Sequence, residues 1–218
     1  MNKSNAGFLR DSALKTLRDL VPERRLTYSE SLRIAELQAN RLLELFDVSG
    51  PLVPSELVTE LPRIEVRYDH DLPVSGSAHW ERGRWIITLN ASEPFVRHRF
   101  SLMHEFKHVL DHSTKDRLYG DTENDHVASV RAERAADSFA AALLMPKRWL
   151  KGQWFTHGQN LTLLANRLEV SPRALSVRLW HLGIGVETPR CARPSKPYRR
   201  TSDVETYFRT APLVGVSP

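Results

Sequence analysis

Hydrophobic positions change their period several times along the chain. From Thr27 the period is helical: Leu32, Ala35, Ala39, Leu42 and Phe46 recur at three- and four-residue spacing with charges between them. Ser29 is the expected N-cap, and residues 47–51 (Asp-Val-Ser-Gly-Pro) should stop the helix. A second short helix is expected after Pro54-Ser55, ending before Pro62. Alternation then takes over at 63–68, and the segments 76–80 and 84–90 flank Glu81-Arg82-Gly83, which reads as a hairpin turn. These three segments predict a small antiparallel sheet. Helical periodicity returns at about 93–112, with Phe95, Leu102, Phe106 and Val109 on one stripe. The polar stretch 113–126 predicts a loop, and an Ala-rich helix over 127–144 should end before Pro146. Two short helices are expected at 161–169 and 173–183, with Val170-Ser171-Pro172 as a tight turn between them. The fold class expected is α+β, mainly helical, with a helix-turn-helix-like segment near the C-terminus.

This pattern divides the chain into a flexible leader at 1–26, a principal domain at 27–158, a helical segment packed on it at 159–187, and a basic, disordered tail at 188–218. With 218 residues, 41% of them hydrophobic, the chain can build one core. Its longest apolar runs, at 85–89 and 141–145, fall far short of the roughly 20 residues that span a bilayer. Residues 1–17 show no secretory apolar region, and Cys191 has no second cysteine to pair with. Both features fit a reducing, cytoplasmic setting without membrane attachment. Net charge is +5, and residues 190–200 alone carry five basic residues and no acidic one. That segment alone matches the whole excess, so the bulk charge says little about the folded body.

Residues 104–108 read His-Glu-Phe-Lys-His. On a helix, His104 and His108 stand one turn apart on one face and can converge on one metal ion. Glu105 lies beside that face, within reach of the reacting centre without being a ligand. A catalytic zinc takes three protein ligands and keeps one position open. The metzincin pattern needs glycine at 111 and histidine at 114, whereas this chain has Asp111 and Thr114. The thermolysin-like (gluzincin) pattern takes a glutamate from a later helix, and Glu133 lies 25 residues beyond His108 on the next predicted helix. Asp137, one turn further on, is placed to orient an imidazole. His112, Asp137 and His126 compete for the third ligand position, although His112 is two turns beyond His104. His79, His98, His157 and His181 read as ordinary surface or core histidines.

Residues 97–112 (Arg-His-Arg-Phe-Ser-Leu-Met-His-Glu-Phe-Lys-His-Val-Leu-Asp-His) followed by 133–146 resemble the ImmA/IrrE family of zinc metallopeptidases. The resemblance rests on Leu89-Asn90, Arg99-Phe100, Glu133, Asp137, Phe139-Ala140 and Leu143-Leu144-Met145-Pro146 around the paired histidines. It covers roughly 27–183 and is strongest at 84–146. It implies one zinc per chain held by His104, His108 and Glu133, with Glu105 as catalytic acid/base. It also implies a protein substrate, since characterised relatives cleave helix-turn-helix repressors and some are paired with antitoxin-like partners. Many relatives have glycine where this chain has Lys107, so an altered surface beside the metal, or a charge facing the substrate, is expected. Tyr119, His126 and Lys107 are the candidate oxyanion donors.

The rival reading is a DNA-binding or protein-interaction module with a structural or latent zinc site. Its basis is the segment 164–183, of the form LAxxxxVSxxALxxRLxxLG. The second helix of that segment brings only Arg173 and Arg178 as firm charges, few for a reader of bases. The favoured expectation is that the pair packs on the peptidase body or recognises the substrate protein.

Overall fold

The structure is a computed structural model, and it describes residues 12–120 and 124–184. The expected disordered tail at 188–218 and the first part of the leader lie outside the described residues. The leader itself is corrected from residue 12 onward. A helix whose described part covers 12–18 (α1) buries Ala13 and Leu17 completely, and Val21 and Leu26 follow them into the interior. The Gln38 amide donates to the Leu17 carbonyl at 3.0 Å. Arg18 donates to the carbonyls of Val109 and Leu110 at 2.8 and 3.1 Å, satisfying acceptors at the end of a later helix that would otherwise be orphaned. Apolar residues four apart in a charged stretch cover too narrow a stripe to announce this packing from sequence.

Helix α2 (Tyr28–Leu45) starts in a capping box formed by Thr27 and Glu30. The N-cap is therefore Thr27 rather than Ser29, because only Thr27 has a glutamate three residues later to return its hydrogen bond. Arg24 pairs with the same glutamate, and these contacts pull the Glu30 carboxyl down to about 2. A short α3 (Glu56–Thr59) leads into the sheet.

Strands β1 (Ile64–Asp69), β2 (Gly76–Glu81) and β3 (Arg84–Asn90) lie in the order β1-β3-β2. The β2–β3 hairpin is antiparallel, as expected, and its turn puts Arg82 at φ 47° and Gly83 at φ 82°. Positive φ at both central residues matches the right-handed twist of the flanking strands. However, β1 pairs with β3 in parallel, so the sheet is mixed rather than antiparallel. Alternation marks β1 as a strand but gives neither its partner nor its direction. The segment 70–75 carries the chain past β3, and β3 returns through the centre. That central place explains its run of buried residues, Trp85, Ile86, Ile87 and Leu89.

Asn90 closes the strand: its amide donates to the Leu72 carbonyl and its side-chain oxygen accepts from the Ser92 backbone N–H. Helix α4 (Phe95–Asp111) follows and packs on β2 and β3. Leu102, Phe106 and Val109 of its predicted stripe are buried, whereas Phe95, in the first turn, is exposed. The expected loop contains one short helix, α5 (Lys115–Tyr119), before α6 (Asp125–Leu144), which packs against both α2 and α4. Helix α7 (Lys147–Thr156) was not expected, since it buries only Leu150 and Trp154, a single i,i+4 pair.

The C-terminal pair is α8 (Leu161–Leu168) and α9 (Pro172–His181), capped by Asn160 and Ser171. Their apolar residues Leu164, Ala165, Leu168, Leu175 and Leu179 join the main core. Arg178 turns inward, donating to the Met145 carbonyl and pairing with Glu36, while Arg173 stays exposed. Only one of the two charges expected on the second helix is thus available to an outside partner. No helix among the described residues is long and apolar enough to cross a membrane.

If α1 belongs to the core, Leu17→Ala will lower stability by about 2 to 4 kcal/mol, as for other buried leucines. Urea denaturation reads this directly. A loss below about 0.5 kcal/mol, typical of surface changes, would restore the picture of a loose leader.

Candidate metal centre

Helices α4 and α6 each contribute one face. The buried side of α6 is largely small: Ala132, Ala135, Ala136, Ala140 and Ala142. Small side chains let two helices approach closely. Phe106 and Phe139 meet within that contact, with ring centroids 6.0 Å apart. The polar edges of the two helices are thereby brought together. His104 and His108 project from α4, and Glu133 and Asp137, also one turn apart, project from α6.

Among the described residues His104, His108 and Glu133 form a group whose ligand atoms all lie within 4.8 Å of one another. The two Nε2 atoms are 3.1 Å apart. Glu133 Oε2 lies 3.1 Å from His104 Nε2, and Glu133 Oε1 lies 3.4 Å from His108 Nε2. Two donors on a tetrahedral zinc with bonds of about 2.0 to 2.1 Å would be about 3.3 Å apart. The spacing of this group therefore fits such an ion, and two imidazoles with a carboxylate suit its borderline softness. Both histidines are partly buried, whereas Glu133 is exposed, so the group opens to solvent.

Asp137 Oδ1 lies 2.9 Å from His104 Nδ1. A proton on Nδ1 donates to that carboxylate and leaves Nε2 with its lone pair turned towards His108 and Glu133. Burial opposes charge on His104, but hydrogen bonds to Asp137 and Glu133 outweigh it and raise the group to about 9. The same pairing works in reverse on Glu133, whose carboxyl is held far below the usual range by its hydrogen bonds to His104 and His108. Glu105 is pushed up by burial and by the charge of Glu133, against the pull of the two histidines.

The other sequence candidates separate from this group. The His112 ring stacks on Trp85, with centroids 4.9 Å apart. Tyr119 is buried, and its hydroxyl donates to Asp111. His126 is exposed, two turns before Glu133 on α6. Lys107 corrects an expectation, because it neither faces a substrate nor alters the surface beside the histidines. It is fully buried and its Nζ donates to Asp111 one turn on, so Asp111 is shared by Lys107 and Tyr119. The i,i+4 spacing was visible in sequence, but the direction of that face was not. One contributor went unnoticed: Gly76 of β2, whose backbone lies against the Glu105 side chain. A glycine opening a strand is the only sequence signal it offers.

Removing one partner of a buried ion pair strands the other, so Lys107→Met should destabilise the fold by about 3 kcal/mol or more. Metal binding should survive, since the Lys107 ammonium pairs with Asp111 and with none of the three ligand candidates. Denaturant titration together with metal analysis checks both halves, and loss of metal from a folded variant would contradict this separation.

The chain matches the family Peptidase_M78, described as the IrrE N-terminal-like domain, over residues 63–180. No curated protein matches it. Among solved structures it is similar to a Mycobacterium tuberculosis transcriptional regulator, with a TM-score of 0.57 and 18% identity. That likeness covers 82% of this chain and 53% of the other, so it concerns the fold, and this chain spans about half the length of that protein. The family match covers more than half of the sequence and includes both histidines, Glu105 and Glu133: the chain belongs to the ImmA/IrrE (Peptidase_M78) family of metallopeptidases.

Proposed function

We propose that this protein is a zinc-dependent endopeptidase that cleaves a helix-turn-helix repressor or an antitoxin-like partner at a defined site. The observation that carries the chemistry is the meeting of His104, His108 and Glu133 at zinc-like spacing, with Glu105 near enough to feel the charge of all three. A bound zinc would supply Lewis acidity, polarising the scissile carbonyl and lowering the pKa of the attacking water towards about 7. His104, His108 and Glu133 would hold it, and Asp137 fixes the His104 ring through Nδ1. Glu105 takes the proton of the attacking water on its carboxylate and delivers it to the amide nitrogen as the peptide bond breaks. Its raised pKa suits a group that must serve first as base and then as acid.

Extended peptide is the substrate form that the surroundings support. Strand β2 is an edge strand, and its first residue touches Glu105. Its outer rim offers backbone donors and acceptors to which a peptide could pair as an added strand. The choice of a repressor-like partner rests on family membership.

Purified protein should carry close to one zinc per chain. Glu105→Gln should keep that zinc and lose cleavage by about a thousandfold or more, whereas His104→Ala should lose both. Expression beside a neighbouring repressor-type protein, with mass spectrometry of new N-termini, identifies the cut. A fragment that forms equally with Glu105→Gln would defeat the proposal.

Metal binding should depend on pH in a definite sense. His104 lies near 9 without metal, so at neutral pH it is protonated and zinc must displace that proton. Apparent affinity should rise about tenfold per pH unit for the displaced proton and level off above about 9. In the metal-free fold the sign is opposite. The raised value contributes stability below the unperturbed 6.5, and that contribution is lost as pH rises through about 9. Calorimetry in buffers of different ionisation enthalpy measures the released proton, and affinity that is flat across neutral pH would contradict the assignment.

A further inference from the structure

Glu105 differs from the other polar residues of the centre in how it is held. His104 is hydrogen-bonded at both ring nitrogens, and His108 and Glu133 are hydrogen-bonded to their neighbours. Among the described residues no protein group is hydrogen-bonded to the Glu105 side chain. Its side chain instead lies against the backbone of Gly76. A β-carbon at position 76 would stand 2.9 Å from Glu105 Cγ, 3.1 Å from Oε1 and 3.4 Å from Cδ.

Backbone conformation does not account for this glycine. Gly83, Gly158 and Gly183 have positive φ, and Gly76 does not. It pairs with Leu89 in ordinary antiparallel register, where any residue fits the backbone. Nor is the space around it empty, as it is at Gly50, Gly83, Gly152, Gly158 and Gly183. Gly120 meets the carbonyl of Asp116 in its own short helix. Gly76 is thus the described glycine whose missing side chain is replaced by the side chain of a distant residue, and that residue is Glu105.

We infer that Gly76 is a positioning residue: the volume left free by its absent side chain sets the Glu105 carboxylate beside the histidine–glutamate cluster. An added methyl group meets Glu105 at mid-chain, at Cγ, so relief requires rotating the whole carboxylate away. Such a rotation leaves the fold and the three ligand candidates in place and removes the base. The inference rests on the proposed role of Glu105, but its test reads the 76–105 contact separately.

The probe is acetohydroxamate binding to the zinc-loaded protein, because this small chelator can donate a hydrogen bond to a carboxylate next to the metal. Gly76→Ala should keep one zinc per chain and weaken acetohydroxamate about tenfold, the worth of one hydrogen bond to a charged group. Glu105→Ala should weaken it by the same factor, and the double variant should bind no worse than Glu105→Ala alone. Wild-type binding by Gly76→Ala, or losses that add in the double variant, would overturn the inference. If Gly76→Ala unfolds, the double variant decides: folding restored by Glu105→Ala supports the contact, and unfolding in both backgrounds overturns it. Full turnover by Glu105→Gln would defeat the catalytic reading while leaving the hydroxamate result to be judged by itself.

Discussion

Everything at the candidate centre depends on how closely α4 and α6 approach. A cluster assembled from two helices needs their polar edges within one side-chain length. The alanines on the buried face of α6 permit that approach, and Phe106 against Phe139 gives the contact its apolar substance. Once the helices lie side by side, two i,i+4 pairs face each other: His104 and His108 against Glu133 and Asp137. The same one-turn spacing that joins two imidazoles on α4 joins a carboxylate for the cluster and a carboxylate for Nδ1 on α6. Both ends of the His104 ring are therefore fixed by one neighbouring helix.

The opposite side of α4 is fastened just as firmly. Asp111 receives hydrogen bonds from Lys107 and from Tyr119, so it ties the histidine helix to the short helix that leads towards α6. Arg18 reaches from α1 to the carbonyls of Val109 and Leu110 near the end of α4. Arg99, the first buried residue of α4, donates to the Val53 carbonyl and pairs with Glu169 at the α8–α9 turn. These buried or partly buried charges cost free energy to desolvate, and only complete pairing offsets that cost. Their common effect is to fix the axial position of α4, and a shift of one ångström there would displace both imidazoles.

Sequence disclosed the parts of this arrangement that are periodic. The HExxH spacing, the later helix bearing Glu133 and Asp137, and the hairpin at Arg82-Gly83 all follow from local rules, and the structure brings those residues together as expected. What stayed hidden is relational. Lys107 and Glu105 both flank ligand positions, yet one turns into the interior and the other towards the cluster. Only the surroundings of α4 separate them. β1 had the alternation of a strand, but its parallel pairing depends on a crossing made by other residues. Leu17 and Leu26 look like isolated apolar residues in a charged leader until α2, α5 and α6 present the surface that covers them.

The two ways of holding side chains at this centre follow from what each must do. A ligand benefits from hydrogen bonds that fix its orientation and sharpen its donor atom, as Asp137 does for His104. A general base is harmed by the same treatment. Donors to its carboxylate stabilise the charged form, lower its pKa and weaken it as an acceptor of protons. Glu30 illustrates the effect elsewhere in this chain, drawn down to about 2 by Arg24 and Thr27. Glu105 escapes it because packing rather than hydrogen bonding confines it, and burial moves its pKa upwards. Confinement by shape needs a partner with no side chain of its own, which is the property Gly76 brings to the end of β2 nearest the histidines.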